Sequence, residues 1–179
     1  MTINARGAQA FLLLLMFVTG LRPCAEADSS AKPAPPMGLR ADRILVIKSE
    51  RMLSAMRGDA VLRSYRVAFG RGRGPKTADK DKKTPEGVYE GCRLNLASKY
   101  HQAILIPYPT TQERRKGYTG GDIEIHGLPH LPLGLQKLLG GLIVRLGSTR
   151  GCVMMTDADI DDLAAITAFP VTVEIRASR

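Results

Sequence analysis

The chain has 179 residues, of which 44% are hydrophobic and 24% are charged. This composition is typical of a globular protein and excludes a collagen-like, coiled-coil or wholly disordered chain, and the length favours one compact domain. The formal net charge of +9 favours an anionic partner, which leaves nucleic acid, a membrane surface and the acidic polymers of a bacterial envelope as candidates.

The N-terminal segment has the pattern of an export signal. Arg6 precedes an apolar run over residues 11–21, and Ala25-Glu26-Ala27 follows as a small-residue cleavage site. The apolar run is shorter than the roughly 20 residues that cross a bilayer. We therefore predict an exported protein, with the periplasm as its compartment. The predicted parts are a signal peptide over residues 1–27, a flexible tether over 28–42 and a folded catalytic domain over 43–179.

The folded region is predicted to be rich in short strands. Apolar or alternating stretches bounded by turn residues predict strands at 44–47, 52–56, 61–69, 88–94, 103–106, 122–126, 142–145 and 171–175. Residues 70–87 are rich in glycine and cations and predict a long exposed loop. Thr156 is a candidate cap for one helix, with Asp159 in the capping-box position and Pro170 beyond its end. A shorter helix is predicted at 132–140.

These elements predict a β-rich α+β fold, in which a curved or barrel-like mixed sheet carries one main packed helix.

Cys152 is the candidate nucleophile. It follows Gly151, which allows a tight backbone turn with amide groups free to face an oxyanion. A cation such as Arg150 favours thiolate over thiol. The alternative is a small buried residue that fills the core.

His126 is the candidate base. It ends a predicted strand and precedes Gly127, and imidazole is the natural base for a thiol at neutral pH. A cysteine and a histidine suffice for acyl transfer if the fold brings them together. The alternative is a structural histidine with a satisfied hydrogen bond.

The motifs around both residues occur in a characteristic order. His126-Gly127 and Thr149-Arg150-Gly151-Cys152 are preceded by Thr84-Pro85-Glu86-Gly87-Val88-Tyr89, by Tyr108-Pro109 and by Gly120-Gly121. This ordered set resembles the L,D-transpeptidase catalytic domain of the YkuD type over roughly residues 43–176, and is most similar to exported murein members. The chain departs from the common pattern at Arg150, where many members have histidine.

The resemblance implies a cysteine acyltransferase of peptidoglycan that works without a cofactor. Cys152 would be the acylated nucleophile, His126 the base, and the backbone amides of Gly151 and Cys152 the oxyanion site. The thiolate would attack a stem tetrapeptide at the L-centre of diaminopimelate, expel the terminal D-alanine and hold a thioester. Candidate contacts to the stem peptide are Arg150, Thr149, Gly127 and Tyr108. Arg150 suits a carboxylate, and a solvated loop position is the equal alternative.

Several alternatives stay open at this point. Water instead of an amine would make the chain a hydrolase of the same wall amides, either a carboxypeptidase or an enzyme that detaches a wall-attached protein. A non-catalytic envelope-binding protein is the alternative from another class. Cys92 is interpreted as structural, although it could pair with Cys152 in an oxidising compartment.

Metal and nucleic acid are both disfavoured as ligands. His126 and His130 lack an intervening glutamate, and Pro129 opposes the helix that would align their imidazoles. The basic runs are interleaved with acidic residues and lack aromatics for base stacking. We therefore predict no metal and no nucleic-acid partner, and at most peripheral attraction to anionic envelope polymers.

Overall fold

The computed structural model describes Gly38 and residues 40–179. The predicted signal peptide, and the predicted tether up to residue 37, lie outside these residues. No helix in the described part of the chain is long and apolar enough to cross a membrane.

Eight strands and three helices follow one another along the chain. The strands are β1 Ala41–Ile47, β2 Met52–Arg57, β3 Ala60–Arg66, β4 Gly87–Asn95, β5 Ala103–Ile106, β6 Ile123–His126, β7 Val153–Met154 and β8 Thr167–Arg176. The helices are α1 Thr111–Arg115, α2 Leu133–Leu146 and α3 Asp157–Ile166.

All eight strands form one mixed sheet in the order β3-β2-β1-β8-β4-β5-β6-β7. β1 pairs with β8 and β6 pairs with β7 in parallel, and the other neighbours are antiparallel. The segment after β3 returns to the far edge, where Ala68 bridges Met154 and Gly70 bridges Thr149. These bridges curl the sheet into a half-barrel, so the fold class predicted from the sequence is confirmed.

The core lies inside this curled sheet and is covered by α3. Thr156 caps that helix as predicted, because its hydroxyl accepts the Asp159 N–H at 3.1 Å. Ile160, Leu163 and Ile166 are buried against the apolar faces of the strands. The helix ends at Ile166, four residues before Pro170, because the chain turns directly into β8.

The predicted strand at 142–145 is wrong, since these residues belong to α2. Their apolar run has no internal marker of strand or helix, and a run of this length fits either. The predicted helix at 132–140 does exist and continues to Leu146. On the inner face of α2, Val144 packs against Leu128 and Met154. Thr110 and Glu113 form a capping box that starts the unpredicted α1.

Candidate active site

β6 and the turn before β7 bring the two candidate catalytic residues to the same edge of the sheet. His126 ends β6 and is the register partner of Met154 in β7. Cys152 precedes Met154 by two residues, a separation of about 6.6 Å along a strand. Cys152 itself lies in the bend before β7, and its thiol contacts the backbone carbonyl of Asp122, the residue before β6.

A cavity of about 510 Å³ opens at the thiol of Cys152. Its walls come from the loop before β4, the loop before β5, β6 and the cysteine turn. Cations and acids both contribute to the lining, and one of the cations, Lys76, is paired with Asp81 outside it, so the cavity presents charges of both signs. The cations are Lys76, Lys80, Lys99 and Arg150, and Asp79, Asp122 and Glu124 are the acids.

The imidazole of His126 is held in one tautomer. Its Nδ1 lies 2.6 Å from the Gly127 carbonyl, and since a carbonyl only accepts, Nδ1 carries the proton and Nε2 is left as the base. Tyr100 stacks on the ring with centroids 4.4 Å apart and planes inclined by 23°. Burial lowers the pKa of His126. The hydrogen bond to the Gly127 carbonyl opposes this shift, and the positive charge of Lys99 adds to it. The imidazole is thus neutral at neutral pH.

The thiol of Cys152 is half-buried and free. It donates to the Asp122 carbonyl at 3.4 Å. Burial raises the pKa of the Cys152 thiol, and the backbone hydrogen bond from Glu124 only partly offsets this rise. Sequence reasoning expected a cation such as Arg150 to favour thiolate, but desolvation dominates here. The resting pair is therefore a neutral thiol and a neutral imidazole.

This protonation state predicts the pH dependence of alkylation. Iodoacetamide reacts with thiolate, so the rate at Cys152 should rise about tenfold per pH unit between pH 6 and 8. The rate should continue to rise above pH 8, because the thiol pKa is raised above its ordinary value of 9.0. A labelling time course, quenched at set times and read by peptide mass mapping, measures the alkylation rate at Cys152. A plateau between pH 6 and 8 would instead show a preformed thiolate–imidazolium pair.

The turn before Cys152 is closed by Thr149. The Thr149 hydroxyl accepts the Gly151 N–H at 3.0 Å and donates to the Cys152 carbonyl at 2.6 Å. Gly151 has a φ of +146°, and a Cβ there would lie 2.8 Å from the Lys83 carbonyl oxygen. Only glycine fits this turn. Thr149 thus shapes the nucleophile's backbone, and the Gly151 amide is already engaged by a hydroxyl.

The other predicted contact residues occupy different settings. Arg150 is exposed and lines the cavity. Gly127 orients His126 through its carbonyl, and a Cβ there would overlap Asp157 Oδ1. Tyr108 is buried and donates to the Lys76 carbonyl at 3.0 Å. Tyr108 thus supports the loop behind the cavity and does not line it.

Sequence reasoning missed Tyr100, Lys99 and Glu124. The position of Glu124 could have been found, because it lies two residues before His126 on the same strand face. Tyr100 and Lys99 carry no such signal, since they come from a loop that only the tertiary fold brings to His126. Within residues 40–179, no group of three or more His, Cys, Asp or Glu side chains is placed to hold a metal ion.

The loop predicted at residues 70–87 was expected to be exposed, but a buried ion pair anchors it, and its last residue, Gly87, begins β4. Lys76 is buried and its Nζ lies 3.0 Å from Asp81 Oδ1. Asp81 also accepts the backbone N–H groups of Thr77, Ala78 and Lys83. Burial alone would raise the pKa of Asp81, but these hydrogen bonds outweigh it and hold the pKa well below its usual range.

Asp81→Asn is expected to lower the free energy of unfolding by about 3 kcal/mol, because it leaves the buried Lys76 charge unpaired. A depressed carboxyl pKa stabilises the fold above its unfolded value of about 4 and loses that effect as pH falls further. The difference in free energy of unfolding between wild type and Asp81→Asn should therefore narrow below pH 4. Urea titrations at several pH values measure it. Asp79→Asn, an exposed change in the same loop, is the control, and equal losses for both variants would contradict the prediction.

Cys92 is fully buried in β4, opposite Val171 of β8. Its thiol donates to the Tyr89 carbonyl at 3.3 Å, and burial raises its pKa to about 11. The structure holds Cys92 and Cys152 as two free thiols. Cys92 thus has the surroundings of a core residue.

Comparison with known proteins finds L,D-transpeptidases at the level of both family and single proteins. The profile of YkuD, the L,D-transpeptidase catalytic domain, matches residues 41–175. YafK of Escherichia coli (strain K12), a provisionally assigned L,D-transpeptidase, is 40% identical over 70 residues, which cover 37% of this chain and 28% of YafK.

Two solved structures share the fold. The helical cell shape determining protein Pgp2 from Campylobacter jejuni matches with a TM-score of 0.59 and 23% identity, over 82% of this chain and 51% of Pgp2. Bd1075 from Bdellovibrio bacteriovorus matches with a TM-score of 0.52 and 25% identity, over 81% of this chain and 51% of Bd1075. The chain thus spans about half the length of these two proteins.

Proposed function

Because the chain belongs to the YkuD family of L,D-transpeptidase catalytic domains, which act on peptidoglycan, we propose that it is an exported cysteine acyltransferase of stem peptides. The observation that carries the proposal is the half-buried free thiol of Cys152 in a cavity with polar and charged lining, beside the strand that ends in His126. A thiol in such a cavity and a neutral imidazole with Nε2 available are the two groups that acyl transfer through a thioester needs.

The first half-reaction makes the acyl-enzyme. The Cys152 sulfur attacks the carbonyl on the L-centre of diaminopimelate in a tetrapeptide, and its proton passes to Nε2 of His126. Because the resting pair is neutral, this proton transfer accompanies the attack. The carbonyl oxygen becomes an oxyanion, for which we assign the Cys152 amide, with the Gly151 amide able to join it by leaving Thr149. His126 then returns the proton to the departing D-alanine amine.

The second half-reaction transfers the acyl group. An amine from a neighbouring stem gives its proton to His126 and attacks the thioester. The thiol is released, and the new amide bond is the cross-link. We assign Arg150, which is exposed and lines the cavity, to a stem-peptide carboxylate. The same thioester gives hydrolysis if water takes the acyl group. A wall-attached protein is released in the first half-reaction if its amine, instead of D-alanine, is the group that leaves the diaminopimelate carbonyl.

Purified disaccharide tetrapeptide tests the proposal. Mass analysis should show a cross-linked dimer with loss of D-alanine, together with a thioester adduct on Cys152. A tripeptide without dimer would assign the chain to the hydrolases. Absence of both products and of any adduct on tetrapeptide or on longer wall fragments would reject acyl transfer and leave a non-catalytic envelope protein.

A further inference from the structure

α2 carries apolar side chains on two opposite faces. Gly140 and Val144 are buried on the inner face. Leu138 and Leu142 each precede one of these residues by two positions, about 200° around a helix. They therefore lie on the side that faces away from the sheet.

The outer leucines form a continuous row. We call Leu135, Leu138, Leu142 and Leu146 the leucine stripe, and their spacings of three and four residues place them along one side of the helix. All four are exposed, Leu138 to 78% and Leu146 to 74%. Single exposed leucines are common on protein surfaces, but a contiguous apolar row marks an interaction surface.

The surroundings of the stripe are cationic. From Gly127 to Thr156 the sequence contains no Asp or Glu, whereas it contains Lys137, Arg145 and Arg150. The charged residues of α2 itself are Lys137 and Arg145, and exposed leucines together with cations are typical of helices that lie on anionic bilayers.

The stripe leads into a second cavity, separate from the one at Cys152. Leu146 lines this cavity of about 710 Å³ together with exposed Arg71 and Arg73. Its acid, Glu86, is paired with Lys48 at 2.8 Å. The Arg51 guanidinium, also in the lining, donates to the carbonyls of Val144 and Gly147 at the end of α2. Apolar and cationic surfaces are therefore continuous, as the acyl chains and anionic head groups of lipids require.

We propose that the leucine stripe, with Arg71 and Arg73, docks this protein on the surface of a bilayer that contains anionic phospholipids. The leucines enter the boundary between head groups and acyl chains, and the arginines pair with lipid phosphates. A second copy of the chain is disfavoured as the occupant, because it would bring two surfaces of the same positive sign together.

Vesicle flotation of residues 28–179, the chain without the predicted signal peptide, tests this docking, because the apolar run at residues 11–21 would bind vesicles by itself. Wild type should bind vesicles that contain phosphatidylglycerol more strongly than vesicles of phosphatidylcholine alone. Leu138→Glu should weaken binding about tenfold, since losing one inserted leucine and adding a negative charge each oppose insertion. Leu96→Glu, at a 74% exposed leucine outside the stripe, is the matched control and should bind as wild type does. Arg71→Glu should weaken binding only to the anionic vesicles.

Two results would overturn the proposal. Equal binding by wild type and Leu138→Glu would assign vesicle binding to another part of the chain. A concentration-dependent dimer in light scattering that Leu138→Glu abolishes, without a change in flotation, would assign the stripe to a second copy. Muropeptide turnover in solution should be unchanged in Leu138→Glu, so failure of the docking proposal and failure of the proposed enzyme activity are separate results.

Discussion

Cys152→Ala is expected to abolish turnover of the disaccharide tetrapeptide, whereas Cys92→Ala retains it. The Cys152→Ala variant has no atom able to form the acyl-enzyme, so its turnover should fall by more than about a thousandfold, and the thioester adduct should disappear from its mass spectrum. Turnover by mass analysis and intact-protein mass together measure both losses.

Cys92→Ala is the matched control because it also removes one thiol. It removes a fully buried sulfur from the core, so we expect a loss of about 1 kcal/mol in the free energy of unfolding and near-normal turnover below the melting transition. Equal inactivation of two folded cysteine variants would contradict a single nucleophile and would support an essential pairing of both sulfurs.

His126→Asn is expected to lower turnover by about 10²- to 10⁴-fold at pH 7, which is the usual contribution of a positioned general base. The loss should shrink as pH rises toward 10, since hydroxide then supplies the thiolate that the imidazole no longer generates. A general base is diagnosed by this convergence of the two pH profiles. A purely structural histidine would give a loss that is the same at every pH.

His130→Asn is the control for this substitution. His130 is exposed in the loop before α2, so turnover and its pH profile should match those of wild type. Circular dichroism should be identical for both variants, which ensures that the loss at His126 is not a loss of fold. A variant of His126 that turns over at the wild-type rate would remove this residue from the mechanism.

The sequence predicted most of the sheet because its strands are short apolar runs between clear turn residues. The segment between His126 and Cys152 was harder to predict, since Leu142, Ile143 and Val144 are three consecutive apolar residues that fit a strand or a helix. That run is helical because one side packs on Leu128 and Met154 while the other remains exposed. The signal for a two-faced helix is absent from its periodicity, because leucines occur on both faces.

The candidate site was predictable only in its motif residues. The order of the motifs indicated Cys152, His126 and the glycines beside them. The stacked Tyr100 and the buried pair of Lys76 and Asp81 depend on loops that meet only in the folded chain. The neutral state of the thiol likewise follows from burial, which no local pattern encodes.

The pairing of His126 with Met154 lets the segment between the two strands vary in length without moving the site. Residues 127–152 leave the sheet, and the chain rejoins it in the strand next to β6, one strand spacing of about 4.8 Å away. The length of that excursion is therefore uncoupled from the distance between sulfur and imidazole, and the entropy of closing such a loop grows only slowly with its length. Shortening or exchanging α2 should alter the surface that we propose for lipid docking while the reacting atoms stay where they are.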